Sequence, residues 1–195
     1  MFGRPLQGET GEELRLFAFH CGGDLADLAI NDPLDEGVGT KQYSPYFFYL
    51  VEHPKGHVLF DTGLHPDIRT NITGRLGPAA AAFPIQMFED GDLVSQLAKL
   101  GLQPGDIHAV VPSHLHFDHA GGLEFVRHAP IYTQTAELRT ARNPPCYQAE
   151  LYTSADFELD LDWRLLDGDH DLFGDGSLKI ISTPGHSPGH QSLVV

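Results

Sequence analysis

Six consecutive positions, His114 to His119, carry three histidines and one aspartate inside the run SHLHFDHAGG. A packed core has no use for four such side chains, because each buried polar group must find a partner. The fold must bring them to a place where they serve something other than packing. The flanking residues indicate how. IHAVVPS (107–113) is a short apolar run that reads as a buried strand. Gly121 and Gly122 let the backbone turn tightly into the next element. A functional loop leaving the end of a buried strand is the arrangement of layered α/β or α+β proteins.

Imidazole nitrogen and carboxylate oxygen are donors that zinc favours. Alternate residues of an extended stretch point the same way, so His114 and His116 can grip one ion. Asp118 and His119 follow a bend and can reach a second ion. A plain surface cluster of histidines is the competing reading, and the spacing argues against it. A second cluster, TPGHSPGH (183–190), follows the strand-like LKIIS. Its two Pro-Gly pairs make sharp turns. His186 is expected to complete the metal site, with His190 supporting it through hydrogen bonds. His20, His53, His57, His108, His128 and His170 are expected to be surface or satisfied core residues. His65 is expected at the surface or at a pocket edge.

The remaining elements alternate. LRLFAF (14–19), YFFYLVE (46–52) and HVLFD (57–61) read as strands, with HPKG as a hairpin turn between the last two. Residues 66–89 read as loop or short helix. DGDLVSQLAKLGLQPGD holds the clearest helix, with Leu93, Val94, Leu97 and Leu100 on one face and Gly101 at its end. GGLEFVRH is expected to open a helix, PIYTQ to form a strand and TAELRTAR a helix. WRLL, LKIIST and QSLVV read as strands.

A length of 195 residues suits one domain, read here as 1–195. The 12 basic and 27 acidic residues give a net charge of −15, which repels phosphate backbones and anionic lipid heads. Nucleic acid and membrane are therefore not expected as partners. Cys21 and Cys146 form no CxxC pair, so thiolate zinc sites are not suggested and free thiols in a reducing cytoplasm are expected. The first residues have no apolar signal region. The longest apolar runs, such as YFFYLV, are too short to span a bilayer. A soluble cytoplasmic protein is the expectation, with no particular oligomeric state implied. The run QSLVV stops inside a strand-like stretch, which suggests a chain cut short of its parent.

SHLHFDHAGG and TPGHSPGHQSL together, preceded by LFDTG (59–63), resemble the metallo-β-lactamase superfamily, and within it the N-acyl-homoserine lactonases that degrade quorum signals. The likeness runs from about Leu14 to the end. It implies a four-layer αββα sandwich with the metals at one edge and, in this chain, an incomplete second half. It implies two zinc ions: His114, His116 and His186 on one, Asp118 and His119 on the other. It gives Asp61 the task of orienting the metal loop, which nearly coincides with capping backbone amides at a turn. The superfamily's bridging aspartate, last histidine and the lactonases' assisting tyrosine do not follow His190 here. The implied reaction is attack of a metal-generated hydroxide on a lactone carbonyl. Asp118 would hold the water and relay its proton to the leaving group. The apolar runs YFFYLV and AAAAFPIQMF are expected in core and loop, with a border on an acyl-chain pocket as the other reading. The alternatives are a thioesterase resembling glyoxalase II, a β-lactamase, or an inactive metal-binding fragment. A nucleic-acid-processing member conflicts with the charge. A di-iron redox member would carry glutamate where His116 stands.

Overall fold

The computed structural model describes residues 5–7, 13–27, 34 and 39–195. Strand β1 (Pro5–Gln7) lies against the start of β2 (Glu13–Asp27), whose length comes from its partner β3 (Lys41–His53). β2 and β3 pair antiparallel from Arg15–Glu52 to Asp27–Lys41, with a bulge between His20 and Gly22. The predicted turn then leads into β4 (Gly56–Phe60). Gly56 has φ 136°, and a Cβ there would meet the His108 ring. Only glycine fits on both counts.

Residues 66–89 are more regular than the sequence suggests. They hold α1 (Asp67–Leu76), α2 (Ala79–Ala82) and β5 (Ile85–Met87), which pairs with β2 at Gly22–Asp24. The predicted helix is α3 (Leu93–Ala98), capped by Asp92, whose carboxylate accepts from Ser95 N–H at 2.9 Å. Leu93 and Leu97 are buried, but Val94 is exposed, so the apolar face is narrower than the sequence implied. Beyond it come β6 (Ile107–Val111), α4 (Phe117–Ala120), β7 (Ile131–Gln134), α5 (Thr135–Arg142) and α6 (Ser154–Phe157). GGLEFVRH forms only a 3₁₀ turn over Leu123–Val126. The chain closes with β8 (Trp163–Leu166), β9 (His170–Asp171), β10 (Lys179–Ser182) and β11 (Gln191–Val194).

The large sheet runs β1-β2-β3-β4-β6-β7-β8, with β5 beside β2. Its first half is antiparallel, whereas β4, β6, β7 and β8 are parallel. Parallel strands need both faces covered, and the two-residue alternation of side chains shows how. Leu50, Leu59 and Val110 point into a core shared with Leu97, Leu123 and Leu138 on the helical side. Their neighbours Val51, Val58 and Val111 point the other way, onto Ile180 of the β9-β10-β11 sheet and Leu178 just before β10. The layers are helices, large sheet and small sheet, set beside the four of an αββα sandwich. No helix among the described residues is long and apolar enough to cross a membrane.

Candidate metal centre

The loops after β4, β6 and β10 leave the carboxyl ends of their strands and meet at one edge of the sandwich, where open α/β sheets place their ligand sites. Gln191, at the start of β11, fixes the meeting. Its backbone N–H donates to Ser113 O at 2.9 Å, and its side-chain amide donates to Pro112 O and Tyr132 O, each at 2.8 Å.

Asp61 follows β4 with φ 62°, a conformation that aspartate tolerates better than most residues. Its Oδ1 accepts from Ser113 N–H at 2.6 Å and its Oδ2 from Ser113 O–H at 3.0 Å. Thr62 N–H and O–H both donate to His119 O at 2.8 Å. The DTG turn thus grips both ends of the histidine loop. Gly121 has an ordinary φ of −59°. Close approach, rather than a tight turn, requires glycine there, since a Cβ would run into the backbone of Gly63–His65.

His114 Nε2 lies 3.0 Å from His116 Nδ1, which lies 3.2 Å from His186 Nε2. One nitrogen from each ring falls within 4.8 Å of the others. A proton can bridge only one such pair at a time, whereas a cation can engage all three nitrogens. A tetrahedral zinc with Zn–N near 2.0–2.1 Å spaces its nitrogens by roughly 3.3 Å, close to the distances observed. Burial pushes His114 well down, His116 down to about 3, and His186 down, with the neighbouring histidines adding to the effect. The rings are therefore neutral, as ligation requires. The triad fits a metal ion.

Asp118 and His119 lie alongside. His119 Nε2 is 3.1 Å from Asp118 Oδ2, and its Nδ1 is 2.8 Å from Asp61 Oδ2. Burial works against the His119 charge, but the Asp118 and Asp61 carboxylates overcome it and hold the ring well above its ordinary value. Burial would likewise raise the Asp118 carboxyl, and His119 outweighs it and holds the group below its usual range. The His190 ring lies 5.5 Å from that of His114 and 6.3 Å from that of His186, and its Nδ1 lies 2.9 Å from Thr183 Oγ1 and 3.2 Å from Thr183 O. His65 is buried rather than superficial, in contact with Glu124 and stacked on Phe125. Cys21 is buried and Cys146 exposed, both as free thiols.

A cavity of about 600 Å³ opens beside the triad, with His116, Asp118 and His186 in its wall. Tyr46 and Phe83, from the two apolar runs, border it, as do Asp24 and Leu151. Asp24 is buried with its Oδ1 unpartnered. Sequence reasoning passed over Glu137 and Gln191, both fully buried at this edge. The only signal was position, since each stands within a few residues of a strand end facing the histidine loops.

A family profile described as the metallo-beta-lactamase superfamily matches residues 44–195. N-acyl homoserine lactonase AttM of Azorhizobium caulinodans is 34% identical over 188 residues, covering 94% of this chain and 71% of that protein. N-acyl homoserine lactonase AiiA of Bacillus thuringiensis subsp. kurstaki is 33% identical over 153 residues, 77% of this chain and 58% of AiiA. An N-acyl homoserine lactone hydrolase, solved with N-hexanoyl-L-homoserine at its catalytic metal center, superposes with a TM-score of 0.79 at 30% identity, over 91% of this chain and 68% of its own.

Proposed function

We propose, from the premise that this chain belongs to the metallo-β-lactamase superfamily, that it is a zinc-dependent hydrolase opening the lactone ring of N-acyl homoserine lactones. The observation that carries this is the convergence of His114, His116 and His186 on the wall of a cavity. In this reading the triad holds one zinc, and Asp118 with His119 would contribute to a second, which would displace the proton that the two carboxylates hold on the His119 ring. Zinc, when bound, supplies Lewis acidity that polarises an ester carbonyl and acidifies water.

The chain's own residues do the rest. Asp61 and Ser113 fix the histidine loop, so the triad is set before substrate arrives. Asp118, kept ionised by His119, lies in the cavity wall where it can accept a proton from water and return it to the departing alkoxide. Tyr46, Phe83 and Leu151 offer apolar surface to an acyl chain. The cavity volume falls in the range of small-molecule sites. A neutral acyl lactone also meets no repulsion from a chain of net charge −15.

The test is a side-by-side assay of an N-acyl homoserine lactone, an acyl thioester and a β-lactam, with zinc supplied. The lactone is expected to turn over with the highest kcat/KM. Faster hydrolysis of the thioester or the β-lactam would move the chain to another branch of the superfamily.

A further inference from the structure

We infer that Glu137 is a positioning residue of the metal centre, and that its one carboxylate sets the spacing of the loops carrying the three histidines. The inference rests on reading the triad as a metal site.

Glu137 stands in the first turn of α5 and is fully buried. Its Oε1 accepts from Leu115 N–H at 3.0 Å and from Tyr152 O–H at 3.2 Å. Its Oε2 accepts from Ser187 O–H at 2.5 Å and from Gly189 N–H at 3.2 Å. Leu115 sits between His114 and His116. Ser187 follows His186, and Gly189 precedes His190. The ring of Tyr152 packs edge-on against His116, with centroids 4.5 Å apart. One side chain therefore reaches both histidine loops and the ring that braces His116.

No lysine or arginine is among these four partners. A buried carboxylate without a cation is costly unless its lone pairs are filled. Here all the donors are neutral, and each bond is strengthened by the charge of the acceptor. Metal-binding histidines are commonly oriented by hydrogen-bond partners of their own rings. Glu137 works instead through the backbone on either side of the ligands. The fit is close enough to exclude a side chain at Gly189, where a Cβ would run into the backbone of Glu137.

A latch that served stability alone would leave the zinc affinity of the folded protein unchanged. A positioning role would not. Glu137→Gln keeps the shape, but its NH₂ can accept from neither Leu115 nor Gly189, so one loop must lose its anchor. The experiment measures zinc affinity by competition with a chromophoric chelator, together with the visible absorption of the cobalt(II)-loaded protein, for the parent, Glu137→Gln and Ser187→Ala. Glu137→Gln is expected to bind zinc about 10–100-fold more weakly, the usual cost of losing an outer partner of a metal ligand, and to show altered cobalt band intensities. Ser187→Ala, which removes one donor and leaves the carboxylate, is expected to shift affinity the same way by a smaller factor. It carries the comparison should Glu137→Gln fail to fold. Parent-like affinity and spectrum in whichever variants fold would overturn the inference. A parent chain that binds no zinc would sink the metal reading itself, and this inference with it, an outcome distinct from equal affinities.

Discussion

Asp61 Oδ2 lies 2.8 Å from His119 Nδ1, while Oδ1 of the same carboxylate takes the Ser113 amide at 2.6 Å. One aspartate at the end of β4 thus fixes both the entry to the histidine loop and the last histidine within it. The carboxylate also raises the His119 proton affinity. Asp61→Asn separates charge from conformation, because asparagine also tolerates the positive φ found here. It should lower the His119 titration, followed by NMR, and cost about 1.5–3 kcal/mol of unfolding free energy, the range for hydrogen bonds to a charged group. Asp61→Ala should cost about 1–2 kcal/mol more from the left-handed backbone. An unchanged His119 titration in Asp61→Asn would show that the pairing has no electrostatic role.

Two glycines in the 183–190 loop should respond unequally. A Cβ at Gly185 meets nothing within 4 Å, whereas at Gly189 it meets the Glu137 backbone. Gly185→Ala should melt within a degree or two of the parent. Gly189→Ala should be destabilised by about 1–3 kcal/mol, the range for overpacking a filled interior, and should lose zinc more readily. Equal melting temperatures for the two variants would refute the close approach of α5 to this loop.

The Arg75–Asp156 contact between α1 and α6 gives a pH dependence. Burial pushes the Asp156 carboxyl up to about 6, although the Arg75 guanidinium works against it. An unfolded aspartate titrates near 3.9. Between these values the folded state holds a proton that the unfolded chain has released, so this group opposes folding fully above pH 6 and ceases to do so as pH falls toward 4. The swing is at most about 3 kcal/mol. Urea unfolding of the parent and Asp156→Asn between pH 4 and 7 should show this component of the slope in the parent alone. Parallel pH profiles would contradict the assignment.

The parts of the fold that were legible in the sequence are those with local patterns. SHLHFDHAGG carries the spacing of its histidines within one loop, and β3, β4 and β6 carry runs long enough to show alternation or continuous burial. What escaped was set by partners far along the chain. β1, β5 and β9 are two or three residues long and have no period to read. His65 looked superficial because Glu124, which meets it, is 59 residues away. Glu137 sits in a short helix whose charged residues invite a solvent-facing assignment, yet four donors from three other segments surround it.

The most direct test of the account is lactone turnover before and after metal exchange. Ring opening of an N-acyl homoserine lactone releases a proton that can be titrated at constant pH. The chain stripped by chelator should be inactive, and zinc should restore turnover. His116→Ala should stay at least 100-fold below the parent at the same zinc concentration, in line with loss of a metal-held catalytic group. Turnover that survives chelation, or that His116→Ala leaves at the parental rate, would contradict the claim that these histidines hold the metal that opens the ring.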